Sequence, residues 1–308
     1  MQVSAMIELR MMITRALGED RWNRVLLGSG WRKFKKQNRV LSDFVQQNAK
    51  YKNIHAGKRC FIIGNGPSLK QQDLTLLKNE YVFTCNQIMR NPVYPAIHSN
   101  YHFFADPTFF SLKRDDAGDM EVYQLMQKIN TDDNRPDVFF AAEGFDFAQE
   151  FELDKVLNLN YFAHRLAFTE NYDLDFDFSK FLPNLHTVVH YAIALAIYMG
   201  FSEIYLLGCD CTNVVTAVNT RLNDGNGAEY AYAISENEKN RMQKRNASIH
   251  MEDELKSFSE VFRAYRIFGE YANRKNIKLV NCTVGGLLDC LPRMPYEEVL
   301  RNENETQE

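Results

Sequence analysis

Short apolar runs rich in β-branched and aromatic residues alternate with longer segments of helical periodicity from residue 59 onward. The runs predict strands over Arg59–Ile63, Tyr81–Thr84, Tyr101–Ala105, Val138–Ala142, Glu203–Leu207 and Ile277–Asn281. The segments between them predict helices over Ser68–Leu77, Tyr191–Met199 and Glu252–Asn273. Because this alternation is typical of parallel strands joined by crossover helices, we expect an α/β fold of the Rossmann type, a mostly parallel sheet with helices on both faces.

The pattern divides the chain of 308 residues into three parts. Residues 1–50 are predicted to form a basic helical appendage, and residues 51–295 a Rossmann-like nucleotide-binding catalytic domain. Within that domain a polar stretch, rich in Asn, Gly and charges, predicts a lid over about 212–253. Residues 296–308 are expected to be a frayed tail.

Composition excludes several classes of protein. With 45% apolar and 25% charged residues the chain can bury a core, and six irregularly spaced cysteines do not make a disulfide scaffold, so we expect a reducing cytoplasm. Residues 1–42 carry nine Lys and Arg against three acids, whereas the remaining residues have a net charge of -10, which disfavours nucleic acid as a partner. The uncharged stretch 181–202 contains Pro183 and other polar residues, and predicts a buried helix preceded by a loop.

A basic segment lies over residues 21–39, where Arg and Lys are interleaved with aromatic side chains such as Trp31 and Phe34. Basic and aromatic side chains together suit the anionic inner face of a membrane, so a peripheral membrane contact is one hypothesis for this segment. A solvated helical face is the alternative.

The clearest local motif follows the first predicted strand, where the sequence reads Gly64-Asn65-Gly66-Pro67-Ser68. Two glycines allow positive φ and close approach of a ligand, and Pro67 suits the first turn of a helix, where its missing N–H would have no partner anyway. The N–H groups of such a turn would face an anion, as at many phosphate sites of α/β folds. The motif is neither the dinucleotide fingerprint nor the P-loop, so a turn without a ligand is the alternative.

Polar side chains also follow the next two predicted strands. Asn86 and Gln87 come directly after the second strand, and Asp106 follows the third. Because the carboxyl ends of parallel strands meet at one edge of a sheet, these side chains and the glycine turn predict a crevice. Amides offer both donors and acceptors, so they suit ribose, base or phosphate oxygens.

Three segments, 64–70, 85–87 and 196–210, carry a family resemblance. In order and spacing they resemble the bacterial lipooligosaccharide sialyltransferases of glycosyltransferase family 42, and the wider group of polysaccharide-cluster proteins related to archaeal-type 6-hydroxymethylpterin diphosphokinases. The resemblance spans roughly residues 59–292. It implies one nucleotide-binding domain with a lid, which transfers a sugar from CMP-sialic acid with inversion and without a metal or other cofactor.

The resemblance also implies roles for single residues. Asn65, Gly66 and Ser68 would meet the donor nucleotide, and Asn86 and Gln87 would hold its phosphate, ribose or sugar. Asp106 stands where the family has Asn before Pro, which puts a negative charge beside an anionic donor unless Asp106 binds a hydroxyl, an amine or a cation. The full set of expected substrate-binding residues is Gly64, Asn65, Gly66, Pro67, Ser68, Asn86, Gln87, Asp106, Thr187, Asp210 and Thr212.

Catalysis of sugar transfer needs a general base for the acceptor hydroxyl. His250, at the end of the lid, lies at the position that resembles the family's catalytic histidine, and a histidine at a helix start is the alternative. The family also has two lid tyrosines that assist departure of the phosphate. This chain has Thr212 at the first position, and Tyr230 or Tyr232 could replace the second, while His190 is expected to be a satisfied core residue.

Three function hypotheses follow. The first is a sialyltransferase-like enzyme that moves a sugar from a CMP-activated donor to a hydroxyl of a surface glycan, in lipopolysaccharide or capsule biosynthesis. The second is a Mg²⁺-dependent diphosphokinase that uses ATP, with Asp106 and Asp210 as metal-binding acids. The third is a nucleotide-binding module without catalysis. The acceptor, the linkage and the oligomeric state stay open, with a homo-oligomer as one option.

Overall fold

The computed structural model describes residues 19–170, 172–222, 231–246 and 249–301. In these ranges eight parallel strands form a sheet in the order β6-β5-β4-β3-β2-β1-β7-β8. The strands are β1 (Arg59–Ile63), β2 (Tyr81–Cys85), β3 (Tyr101–Phe104), β4 (Asp137–Ala141), β5 (Asn158–Ala167), β6 (Phe181–Asn184), β7 (Glu203–Leu207) and β8 (Lys278–Asn281).

Helices cover both faces of this sheet. They are α1 (Glu19–Gln37), α2 (Arg39–Gln47), α3 (Tyr94–Ile97), α4 (Ala117–Gln127), α5 (Phe145–Glu150), α6 (Val188–Tyr198), α7 (Asn213–Leu222), α8 (Glu236–Asn246), α9 (Met251–Arg274) and α10 (Tyr296–Arg301). Side chains of β1 alternate between two hydrophobic clusters, with Cys60 and Ile62 on the face covered by α6 and α9, and Phe61 and Ile63 on the opposite face. The predicted Rossmann-like fold is therefore confirmed.

The order of the strands reverses beside β1. From β1 the chain adds β2 to β6 successively on one side, and then returns to place β7 and β8 on the other side. In open α/β sheets, ligands bind outside the carboxyl ends of the strands at such a switch point. The loops after β1 and β7, residues 64–67 and 208–211, flank this position, so a ligand is expected beside them.

Two parts of the core differ from the sequence prediction. The six predicted strands are present with small changes at their ends, but β5 and β6 were not predicted. The segment that was expected to be a loop before the buried helix starts with the strand β6. Pro183 is tolerated in this strand because β6 lies at the edge of the sheet.

The helix predicted over Ser68–Leu77 was wrong. Two short 3₁₀ segments, Pro67–Gln71 and Leu74–Leu77, replace it. The chain is extended at Gln72, and the Asp73 side chain accepts the Thr75 N–H and so starts the second segment.

The basic segment packs against the edge of the sheet. Rings of Trp31 and Phe34 in α1 each lie 5.1 Å from the ring of Phe181 in β6. These two aromatic side chains therefore contact the protein itself, and the peripheral membrane contact of residues 21–39 stays a prediction for the basic side chains. In the described part of the chain, no helix combines the length and the apolar character needed to cross a membrane.

Residues 296–308 were predicted to be a frayed tail, and this prediction was wrong for residues 296–301. Residues 296–301 form α10, in which Tyr296 is 1% and Val299 2% exposed. Burial of these side chains against β1 and β7 fixes the helix, a long-range contact that the polar composition of the tail does not reveal. Residues 302–308 lie outside the described residues.

Candidate functional site

A cavity of about 740 Å³ runs along the carboxyl edge of the sheet, from the switch point between β1 and β7 to β5 and β6. It brings together most of the substrate-binding residues predicted from the sequence. Those that line it are Gly64, Asn65, Gly66, Pro67, Asn86, Gln87, Asp106, Thr187, Asp210 and Thr212, and the catalytic candidate Tyr232 lines it as well. Ser68 is 3% exposed and does not line it.

The glycine turn after β1 packs against the loop after β7. The Ser68 backbone N–H donates to Asp210 Oδ1 (3.1 Å), and its hydroxyl donates to Asp210 Oδ2 (2.7 Å). The Gly66 N–H donates to the Gly208 carbonyl (2.9 Å). The expectation that these amides face a bound anion is therefore wrong for Gly66 and Ser68, because protein oxygens already accept from both.

Asp210 also explains why residue 66 is glycine. The φ of Gly66 is -69°, which any residue can adopt, so positive φ is not the reason. A Cβ atom there would collide with the Asp210 carboxylate and would lie 2.7 Å from the Gly208 carbonyl oxygen. Close approach does require glycine at this position, as the sequence suggested, but the approaching group belongs to the protein.

Two cavity-lining amides have unpartnered oxygens. Asn65 donates from Nδ2 to the Cys85 carbonyl (3.0 Å), which turns its Oδ1 away from that carbonyl. Within the described residues, the buried Oδ1 atoms of Asn65 and Asn86 have no hydrogen-bond partner. Buried polar atoms almost always bind a partner, so these oxygens are suited to donors from a ligand, such as sugar hydroxyls or a base amine.

Gln87 and Asp106 are held by protein contacts. Both the oxygen and the nitrogen of the Gln87 amide bind neighbouring side chains, Arg90 and Glu238. Asp106 Oδ1 accepts the N–H (2.9 Å) and the hydroxyl (2.7 Å) of Thr108 and so caps the turn after β3. These hydrogen bonds hold Gln87 and Asp106 in place in the loops after β2 and β3, which line the cavity.

The segment predicted as a lid contains the helices α7 and α8. Two of its residues, Thr212 and Tyr232, line the cavity. Tyr230 lies outside the described residues. His250 is exposed at the start of α9, where its side chain makes no capping hydrogen bond, and it is not among the residues that line the cavity. Its role as general base stays a prediction.

Two other histidines line the cavity, and the sequence analysis assigned neither of them a catalytic role. His164 in β5 has its Nε2 3.5 Å from a carboxylate oxygen of Glu143, and His186 has its Nε2 3.6 Å from one of Glu260. Burial lowers the pKa of His186, and Glu260 opposes that shift. His164 was missed because β5 itself was not predicted.

Thr187 lines the cavity and also caps α6, since its Oγ1 accepts the His190 N–H (3.3 Å). His190 is completely buried, as predicted, but neither ring nitrogen has a hydrogen-bond partner among the described residues. Its ring instead contacts the ring of Tyr265, at a centroid distance of 4.2 Å. Burial lowers the pKa of His190 to about 3, so the ring is neutral.

Acidic side chains outnumber basic ones in the cavity. Among the described lining residues, Asp106, Glu143, Asp210 and Glu238 carry carboxylates, and Arg241 carries the guanidinium. A nucleotide phosphate is repelled by such a wall unless hydroxyl contacts or a cation offset the charge. The described residues contain no group of three or more His, Cys, Asp and Glu side chains able to hold a metal ion by themselves.

Fold and cavity together define a Rossmann-like α/β protein with a cavity at the switch point of its sheet. The sequence profile of one family, described as "6-hydroxymethylpterin diphosphokinase MptE-like", matches residues 33–215, which is more than half of the chain. The chain belongs to this family. The match confirms the diphosphokinase-related side of the resemblance drawn from the sequence.

Among curated proteins no relative was found. Among solved structures, the chain is similar to the MAf glycosyltransferase from Magnetospirillum magneticum AMB-1, with 14% sequence identity and a TM-score of 0.45. The alignment covers 92% of this chain and 45% of that one, so this chain spans less than half the length of that protein.

Proposed function

We propose that this chain is a glycosyltransferase that moves a sugar from a nucleotide-activated donor to a hydroxyl acceptor, with a CMP-sugar as the first donor to test. The supporting observation is the cavity at the switch point, whose lining residues include Asn65 and Asn86, each with a buried amide oxygen that has no partner within the described residues. These acceptors suit the hydroxyls of a ribose or a sugar. The sialyltransferase-like motifs in residues 64–70 and 85–87 favour CMP.

The cavity has two ends, which suits a reaction with two substrates. In our proposal the nucleotide lies at the switch point near Asn65 and Asn86, and the acceptor lies toward β5 and β6, near His164 and His186. The acceptor oxygen attacks the anomeric carbon while the bond from that carbon to the phosphate oxygen breaks, and the nucleotide leaves with the electron pair. A base takes the hydroxyl proton, which is typically worth about 10²–10⁴ in rate.

Three histidines compete for the role of base. His250 is favoured by the family resemblance, while His164 and His186 are favoured by their position on the cavity wall, each beside a carboxylate. Transfer should be measured for His250→Ala, His164→Ala and His186→Ala separately. The base is the histidine whose removal lowers the turnover rate by about 10²-fold or more while the Kd for CMP is unchanged.

The acidic lining supports a second candidate, a Mg²⁺-dependent diphosphokinase, which the family description also suggests. Mg²⁺ is commonly held by one or two carboxylates together with the phosphates of a nucleotide, and Asp106 and Asp210 are cavity-lining acids that follow β3 and β7. In this alternative the metal would offset the negative wall and orient the phosphates. Asp210 is already bound to Ser68, which makes it a less available ligand.

A thermal-shift screen with CMP, CDP, UDP, GDP and ATP, each with and without Mg²⁺, separates the candidates. A ligand at 100 times its Kd stabilises the folded state by about 2.7 kcal/mol. Stabilisation by CMP in excess EDTA, with sugar transfer under the same conditions, supports the glycosyltransferase. Stabilisation by ATP only with Mg²⁺, with release of AMP, supports the diphosphokinase. If no nucleotide stabilises the protein at millimolar concentration, both proposals are refuted.

A further inference from the structure

The side-chain amide of Gln87 is held in one orientation by two charged groups. Arg90 Nε donates to Gln87 Oε1 (2.5 Å), and Gln87 Nε2 donates to Glu238 Oε1 (2.7 Å). Since a guanidinium can only donate and a carboxylate can only accept, the amide cannot flip without losing both hydrogen bonds. The orientation of this cavity-lining side chain therefore depends on Glu238.

Glu238 belongs to the lid helix α8 and is 151 positions away from Gln87 in the sequence. It is 3% exposed, and its carboxylate oxygens lie 3.3 and 3.4 Å from Arg241 Nη1, with Arg90 Nη2 at 3.9 Å. A buried carboxylate between two guanidinium groups is held firmly, because removing one partner leaves an uncompensated charge. Glu238 thus links the lid to the loop after β2.

Other contacts of α8 fix the lid helix on the body of the protein. Arg241 Nε donates to Asp119 Oδ1 in α4 (2.8 Å), and its Nη2 donates to the Thr108 carbonyl in the turn after β3 (3.0 Å). The Ser235 hydroxyl donates to the Glu121 carboxylate in α4 (2.7 Å). Through these residues α8 contacts two of the loops that line the cavity.

We propose that Glu238 is a positioning residue, which orients the Gln87 amide toward the ligand and couples docking of α8 to the shape of the loop after β2. The nitrogen of this amide has a second hydrogen, which the bond to Glu238 does not use. The role proposed for Glu238 is to position Gln87, and not to take part in the chemical step. The coupling between lid and loop follows from the contacts alone, whereas its effect on nucleotide affinity rests on the proposed function.

Hydrogen exchange measured by mass spectrometry tests the coupling without a ligand. Glu238→Gln removes the charge at nearly constant size, and the matched control is Glu236→Gln on the same helix, whose exposed side chain pairs with Lys239. We expect exchange to become about 10-fold faster or more in residues 86–91 and 236–246 of Glu238→Gln, because the charge that strengthens the hydrogen bonds between the two segments is lost. Residues 203–207 in β7, and the control variant throughout, should match the wild type.

A double variant distinguishes positioning from general destabilisation. In Gln87→Glu/Glu238→Gln the carboxylate and the amide change places, so Arg90, Arg241 and the new pair can all be satisfied again. Protection of residues 86–91 should return toward the wild-type level. The proposal is overturned if Glu238→Gln leaves exchange in 86–91 unchanged, if exchange rises equally over the whole molecule, or if the double variant is no better protected than Glu238→Gln.

Binding of CMP gives the second readout. If the proposed function holds, Glu238→Gln should raise the Kd for CMP about 10-fold and Glu236→Gln should not change it. Equal affinity of both variants and the wild type would overturn the positioning role. If the wild type itself does not bind CMP, the proposed function fails, and the exchange data alone decide whether Glu238 couples the lid to the loop.

Discussion

Replacing Gly66 with alanine should destabilise the protein strongly. The new methyl group would collide with the Asp210 carboxylate, which has to move and lose its hydrogen bonds to the Ser68 N–H (3.1 Å) and hydroxyl (2.7 Å). Hydrogen bonds to charged groups contribute about 1.5–3 kcal/mol each, so the expected loss is about 3–6 kcal/mol. This is a large part of the ~5–15 kcal/mol by which proteins are usually stable.

Urea unfolding of the wild type and Gly66→Ala measures this loss. The control is Gly28→Ala, because Gly28 lies in α1 with no atom within 4 Å of its added methyl group. Alanine is favoured over glycine inside a helix by about 1 kcal/mol, so Gly28→Ala should be more stable than the wild type. Gly66→Ala and Gly28→Ala are therefore expected to change stability in opposite directions.

A double-mutant cycle with Asp210→Ala identifies the cause. Without the Asp210 carboxylate, the methyl group at residue 66 meets only the Gly208 carbonyl oxygen at 2.7 Å among its three nearest atoms. The cost of Gly66→Ala should then fall by about 3–6 kcal/mol, because the two hydrogen bonds to which that cost is assigned are already absent. A loss below about 1 kcal/mol in the wild-type background, or an equal loss in both backgrounds, would refute the contact as the reason for the glycine.

Three further predictions concern stability. Thr187→Val should lower the free energy of unfolding by about 1 kcal/mol because the α6 cap is lost, whereas Thr187→Ser keeps the capping hydroxyl and should not lower it. Equal losses in the two variants would contradict the capping role of Thr187. Because burial lowers the pKa of His190 from 6.5 to about 3, its contribution to stability is present above pH 6.5 and is lost as the pH falls toward 3. His190→Leu should therefore reduce the slope of stability against pH in that window by about 1.4 kcal/mol per unit, and an unchanged slope would contradict the assignment. Deleting residues 296–308 should cost about 3–6 kcal/mol, because Tyr296 and Val299 lose their burial, and a cost below about 1 kcal/mol would mean that α10 does not stabilise the fold.

Local sequence signals predicted much of this structure. Strands such as β1 and β7 were found with their observed ends because they are short apolar runs, buried on both faces, next to turn residues. The long helix α9 was predicted to within one residue at each end from its apolar periodicity. Strand β5 was missed because its second half, residues 164–167, is partly exposed and mixes charged with apolar residues.

The sequence by itself determined which polar residues follow which strands, and hence that Asn65, Asn86 and Asp106 would meet at one edge of the sheet. Only the tertiary structure decided what these residues bind. The carboxylate that occupies the glycine turn is 142 positions from Ser68, and the lid residue that holds Gln87 is 151 positions away. A residue's neighbours along the chain predict its secondary structure, but the partner of a polar side chain depends on how distant segments pack, and no local pattern records that packing.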